Sequence, residues 1–219
     1  MSLFVTEVFS TLQGEAKYAG YPATFVRLYG CNMLCNYCDT LYAVNGNPKK
    51  FKNRKSIEKV VQQVRTLRNR HVCITGGEPL MQAETMPLVY ELAQEGYLVN
   101  IETNGGILIE DNRSSRTFSY TMDIKTPCAG EENVEKNIYE NLARLSSKDE
   151  VKFVVADEHD FAFAKEILKQ YPTKAPIIFS PLFKGRNSTI LKDLADWVHD
   201  EKIPNARLGV QLHKIVGIS

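Results

Sequence analysis

What this 219-residue chain lacks narrows its chemistry before any motif is weighed. It has no apolar run long enough to span a bilayer. Its opening residues, Met1 to Glu7, hold no basic stretch followed by a long apolar one, so no secretion signal is expected. The net charge is only +1, which removes any general electrostatic case for nucleic acid or a membrane surface. There is no internal repeat and no low-complexity linker. With 43% hydrophobic residues, the expectation is one compact domain over residues 1–219. Cysteine is scarce and odd in number, at five, which suits a reducing cytoplasm better than a disulfide framework. A second Cys-x₂-Cys pair is missing, and His71, His159, His199 and His213 are remote in sequence from the cysteines. A closed, four-ligand zinc site therefore has no evident second half.

Three of the five cysteines stand together in Cys31-Asn32-Met33-Leu34-Cys35-Asn36-Tyr37-Cys38. Three thiolates on one loop can hold three irons of a 4Fe-4S cubane, which ordinarily takes four Cys ligands, and the remaining iron is then open to a small molecule. Structural zinc and reduced core thiols are the alternatives. The run follows an apolar stretch, 23–29, and Gly30, the pattern of a strand emptying into a loop. A second β-branched run, His71 to Thr75, ends in Gly76-Gly77-Glu78-Pro79. Two glycines let the backbone come close to a ligand, and Pro79 suits a helix start. Cys73 reads as a small core residue, and Cys128 as a packing or loop thiol rather than a fourth iron ligand.

On these residues the chain resembles the radical S-adenosylmethionine (SAM) superfamily, whose signature is C-x₃-C-x₂-C with an aromatic residue, here Tyr37, before the last Cys. The resemblance implies a cluster held by Cys31, Cys35 and Cys38 whose open iron chelates SAM, and reductive cleavage of SAM to methionine and a 5′-deoxyadenosyl radical. It implies SAM contacts from Tyr37, Cys38, Asp39, Gly76, Gly77 and Glu78. Where family members often carry Ser-Pro-Lys, this chain has Asp123, Ile124 and Lys125; only the lysine matches, and Asp123 could accept from a ribose hydroxyl.

Strands are expected at 3–9, 23–29, 72–75, 98–103, 118–124, 151–155, 177–180 and 207–211. Helices are expected from a Ser56 cap through Leu67, at 84–95 with Gly96 as a stop, and near 134–145, 161–170 and 189–200. Alternating β and α units argue for an α/β fold with a mainly parallel sheet. A full eight-unit barrel takes about 250 residues, and 104–117 has room for only a short helix. The expected architecture is a partial, open TIM-like barrel with some helices missing. Cys31, Gly76, Glu102 and Lys125 fall at C-terminal strand ends, so one mouth is expected to hold the whole site.

Smaller signals bear on the substrate. Ser10-Thr11-Leu12-Gln13-Gly14-Glu15 after the first strand, Arg27 in the second, Asp39-Thr40 after the last cluster cysteine and Gln211-Leu212-His213-Lys214 near the end together resemble the 7-carboxy-7-deazaguanine synthase family, over about residues 4–214. The resemblance implies a ring-contracting lyase of queuosine and 7-deazapurine biosynthesis. Its radical abstracts hydrogen from C6 of 6-carboxy-5,6,7,8-tetrahydropterin, and ammonia leaves. Leu12, Gln13 and Gly14 would meet the pterin edge, Arg27 its carboxylate, Glu15 or Glu102 its ring nitrogens, and Thr75 and His213 the ligand. His213 is a candidate proton donor, with no essential acid or base assigned. Thr40 would bind Mg²⁺, a hard cation that takes oxygen ligands. A second glycine common in the family is Ala16 here. The polar, basic stretch 39–55, part of a modified cluster loop at about 31–55, could dock an acidic electron donor such as flavodoxin, and a homodimer is implied by the family alone. The rivals are a radical activating enzyme acting on a protein and a non-catalytic zinc-binding module.

Overall fold

The computed structural model describes residues 2–44, 53–111, 118–183 and 190–218. Among the described residues nine strands form one sheet in the order β3-β1-β2-β4-β5-β6-β7-β8-β9. From β2 (Pro22–Leu28) through β4 (His71–Gly76), β5 (Leu98–Thr103), β6 (Phe118–Ile124), β7 (Glu150–Val155), β8 (Ile177–Pro181) and β9 (Ala206–Leu208), every neighbouring pair is parallel. Only β1 (Ser2–Leu12) and β3 (Arg54–Ser56) add on antiparallel, at one edge. The sheet is open, with β3 and β9 at opposite edges, as expected of a partial barrel.

Buried parallel strands usually read as continuous apolar runs, but these alternate. Val26, Leu28, Val72, Ile74, Val99, Ile101, Tyr120, Met122, Val151 and Phe153 belong to one large core. The residues between them, including Arg27, Thr75, Asn100, Glu102, Thr121, Asp123 and Lys152, turn to the other face. On the core side α2 (Ile57–Leu67) buries Ile57, Val60, Val61 and Val64, and α3 (Thr85–Gln94) buries Leu88, Val89 and Leu92. Farther along, α6 (Glu158–Gln170) and α7 (Ile190–Glu201) bury Phe161, Ala164, Ile167, Ile190 and Leu194. The opposite face is thus a polar lumen.

Several boundaries differ from expectation. β1 continues to Leu12, because its hairpin with β2 pairs residues as far as Leu12 with Pro22, so Ser10, Thr11 and Leu12 lie within the strand. The expected helix at 134–145 is instead two single turns, α4 (Glu131–Val134) and α5 (Asn141–Arg144). Asn137 takes both backbone groups of Lys125, and Asn141 bonds the backbone of Gly105, Ile107 and Ile109. These side chains hold the segment to loops instead of letting it propagate. The last strand is shorter than 207–211, and the chain leaves it for a short helix, α8 (Leu212–Val216). Another turn, α1 (Leu41–Val44), follows the cysteines. Gly96 does close α3, at φ 87°. The middle of the basic loop, 45–52, the last part of the 104–117 stretch, 112–117, and the expected helix start at 189 lie outside the described residues.

Candidate active site

At the C-terminal ends of the parallel strands, a cavity of about 800 Å³ is walled by Cys31, Cys35, Cys38, Tyr37, Gly76 and Gly77 on one side and by Asp123, Lys125, Cys128 and Lys152 on another. The three cysteines are half-buried and free. Burial raises the thiols of Cys31 and Cys35 above their ordinary range, and at Cys35 the neighbouring Cys31 and Cys38 raise it further. Four side chains, two of them its own, fix this loop. Asn104 donates through Nδ2 to Asn32 Oδ1 at 2.8 Å and to Cys31 Sγ at 3.5 Å. Asn133, fully buried, holds Leu34 by both its N–H and its carbonyl, each at 3.0 Å. Asn36 donates to the Cys128 carbonyl. Thr40 Oγ1 lies 3.8 Å from Cys38 Sγ.

The Gly76-Gly77-Glu78 turn has a packing reason beside any ligand approach. A Cβ on Gly76 would overlap the backbone of Leu28, and one on Gly77 the carbonyl of Gly30. The turn is seated directly against the strand that carries the cysteines. Glu78 departs from its expected place: its carboxylate is fully buried and turns away from the cavity, accepting from Leu80 N, Thr103 Oγ1 and Asn104 N at 2.7–2.9 Å. It fastens β5 to the turn. The side chain of Ile124 is likewise in the core, between Asp123 and Lys125 on the cavity wall, so only its backbone could meet a ligand.

Below the mouth a second cavity, of about 560 Å³, reaches into the lumen and shares Glu15, Asp39, Thr40, Gly76 and Lys152 with the first. The site is therefore deeper than the single mouth expected from strand ends. The reason is the polar inner face, which leaves the lumen unfilled. Leu12, Gln13, Gly14, Arg27, Thr75, Glu102 and His213 all line it. Gln13 donates to Glu102 Oε1 and Thr75 to Glu102 Oε2, each at 2.9 Å. Arg27 pairs through Nε with Glu7 at 2.7 Å, the strand-edge ion pair that a bland reading would give it. Its terminal guanidinium nitrogens have no partner among the described residues, and its head lies over Phe9 and Tyr42. Cys73 sits with Ala23 and Phe25 at the floor, a core residue that Gln13 touches at 3.7 Å. From the far end of the chain, the His213 ring packs on Gly14, where a Cβ would overlap it, and Leu212 N donates to the Gly14 carbonyl.

Sequence reasoning missed the group that joins the cavities. Lys152 Nζ lies 2.9 Å from Glu15 Oε2 and 3.1 Å from Asp123 Oδ2, and Lys125 Nζ lies 3.3 Å from the same Asp123 oxygen. Gln211 donates to Glu15 Oε1 at 2.7 Å. Burial alone would raise the Glu15 carboxyl, but Lys152 and Gln211 outweigh it and bring its pKa down to about 2. Burial likewise works against the Lys152 ammonium, yet Asp123 and Glu15 hold its pKa well above the ordinary lysine value. The available signal was a charge between Val151 and Phe153, in a run that is otherwise apolar from Val151 to Val155. Asn104 and Asn133 gave no comparable signal. Ala16, in the place of a family glycine, does adopt a glycine-like φ of 60°.

A family model described as the radical SAM superfamily matches residues 25–198. A curated 7-carboxy-7-deazaguanine synthase of Methanospirillum hungatei is 38% identical over 98% of this chain and 85% of its own length. One of Koribacter versatilis is 35% identical over 97% and 96%. The chain belongs to the radical SAM superfamily, within the 7-carboxy-7-deazaguanine synthase family. The crystal structure of QueE from Escherichia coli, 26% identical, superposes with a TM-score of 0.79 over 97% of this chain and 95% of that one.

Membership in the radical SAM superfamily implies a 4Fe-4S cluster and SAM, and the mouth fits both. No three His, Cys, Asp or Glu side chains among the described residues converge on a single ion. Three thiols on one loop suit separate irons of a cubane, and iron would draw off their protons. Two buried polar atoms of residues that line the mouth, Tyr37 Oη and Asp123 Oδ1, have no partner among the described residues. Such orphans are costly unless a ligand answers them. No described helix is long and apolar enough to cross a membrane.

Proposed function

We infer that the chain converts 6-carboxy-5,6,7,8-tetrahydropterin to 7-carboxy-7-deazaguanine with loss of ammonia. The observation that carries this reading is the polar lumen cavity opening directly under the cysteine mouth, so that a small, hydrogen-bonding acid would lie beside SAM. An activating enzyme would need room for a protein segment, whereas this cavity is walled by β1, β2 and the segment around α8. When bound, the cluster and SAM supply the radical that starts the reaction. Arg27 offers its unpaired guanidinium nitrogens to the substrate carboxylate. Glu102, fixed on both oxygens by Gln13 and Thr75, and Glu15, kept ionised by Lys152, accept from the pterin edge. His213 stands over the Gly14 backbone, where it can contact substrate or give a proton. At the mouth, Tyr37, Cys38, Asp39, Gly76, Gly77, Asp123 and Lys125 would surround SAM, and Cys31, Cys35 and Cys38 would ligate iron.

The same reading takes residues 1–219 as a single core domain with a modified cluster loop at about 31–55. Thr40, lining both cavities, would place Mg²⁺ beside the substrate carboxylate. The five free cysteines suit a reducing cytoplasm. A flavodoxin-type donor and a homodimer complete it, on the basic loop and the family likeness respectively. The deciding experiment is anaerobic turnover of the carboxylated tetrahydropterin with SAM and dithionite. Release of ammonia and the deazaguanine acid is expected, and SAM cleavage with no change in the pterin would sink the assignment. Magnesium titrations of wild type, Thr40→Ser and Thr40→Ala test the metal; overlapping curves would remove Thr40 from its site. Flavodoxin in place of dithionite tests the donor, and sedimentation at the mass of one chain would dismiss the dimer.

A further inference from the structure

We propose that Lys152 thermodynamically couples the two cavities, so that occupancy of the lumen by pterin tightens SAM at the mouth and SAM tightens pterin. This rests on the functional reading above. Lys152 rises from the middle of β7, a paired strand, and its ammonium is shared by Glu15, which lines both cavities, at 2.9 Å and by Asp123, which lines the mouth, at 3.1 Å. Each acid keeps an oxygen for something else. Glu15 Oε1 takes Gln211, while Asp123, a residue of the mouth, has its Oδ1 buried and without a partner among the described residues. The lysine side chain is only 17% exposed, so water screens these contacts poorly.

The relay Gln211–Glu15–Lys152–Asp123–Lys125 is thus contiguous, and both ligands would act on it. A pterin donor on Glu15 fixes that carboxylate, which fixes the ammonium, which fixes the Asp123 rotamer on the wall of the mouth. SAM then meets an acceptor already ordered, and the second ligand bears less of the ordering cost. Linkage makes the effect reciprocal. Without Lys152, Glu15 and Asp123 would lose the cation they share, Asp123 would keep only Lys125, and neither ligand would report to the other.

The test is SAM affinity of the anaerobically reconstituted protein, measured by equilibrium dialysis with and without saturating 6-carboxytetrahydropterin. In the wild type the SAM dissociation constant should fall by about fivefold or more when pterin is present, the lower end of ordinary coupling. In Lys152→Met that ratio should collapse to about one while the visible cluster absorbance is kept, and Lys152→Arg, which retains the charge, should restore most of it. If Lys152→Met fails to hold its cluster, Glu15→Gln carries the same expectation with the lysine in place. A wild-type ratio of one, or an undiminished ratio in Lys152→Met or Glu15→Gln, overturns the proposal and leaves the synthase reading standing. Failure of the wild type to bind the pterin at all overturns both.

Discussion

Single side chains here do two kinds of work, and the geometry separates them. Asn104 touches no substrate cavity wall of the lumen, yet it donates to Cys31 Sγ, and its amide orientation is set because Oδ1 accepts from Gly106 N at 2.9 Å. Hydrogen bonds to cluster sulfurs stabilise the reduced state. Asn104→Ala should therefore lower the cluster's midpoint potential, measured by a redox titration followed by electron paramagnetic resonance; an unmoved potential would make Asn104 a loop clamp only. Glu15 supplies a pH dependence. Its pKa lies at about 2 in the folded chain against an ordinary 4.5, so its stabilisation is complete above the unfolded value and is lost as pH falls from 4.5 through 2. The difference corresponds to on the order of 3 kcal/mol. Urea midpoints at about pH 5 and pH 3 should drop further for the wild type than for Glu15→Gln. Parallel drops would show that the Glu15–Lys152 pair adds little.

Among the elements, α2 was the most legible. Ile57, Val60, Val61 and Val64 follow the helical period, and Ser56 caps the helix by accepting from Lys59 N at 3.3 Å. Ser56→Ala should cost about 1 kcal/mol by thermal or chemical denaturation and leave SAM cleavage unchanged, since the cap is remote from both cavities. A loss of cluster in that variant would mean that β3 and α2 brace the cysteine loop. Strand positions were legible too, because β-branched runs bounded by glycine have few other uses. What could not be read was where a segment's asparagines would point. Asn137 and Asn141 favour a broken helix only because Lys125 and Gly105 happen to stand opposite them.

For the molecule as a whole, the strongest test concerns the metal. Cys31→Ala, Cys35→Ala and Cys38→Ala should each abolish the brown colour and SAM cleavage, as each removes an iron ligand with no substitute on the loop. Cys128→Ala should keep both, because its thiol lies off the cysteine loop and rests against Thr126 Oγ1 at 3.3 Å. Iron analysis decides the matter: cluster loss in Cys128→Ala would mean that a fourth thiolate closes the cluster and that no iron is open to SAM.

The sequence by itself determined the cluster loop, the Gly-Gly-Glu-Pro turn, the strand series and the family, because iron ligation and backbone approach demand particular residues at particular spacings. Tertiary structure alone decided which charges meet. Glu15 lies more than a hundred positions from Asp123 and Lys152, no motif foretells their contact, and the three come together only because β6 and β7 pair in register and the chain after β1 turns into the lumen. It also turned Glu78 inward and made the site two cavities deep. Local spacing reports chemistry that one loop performs, whereas an ion relay depends on which strand lies beside which.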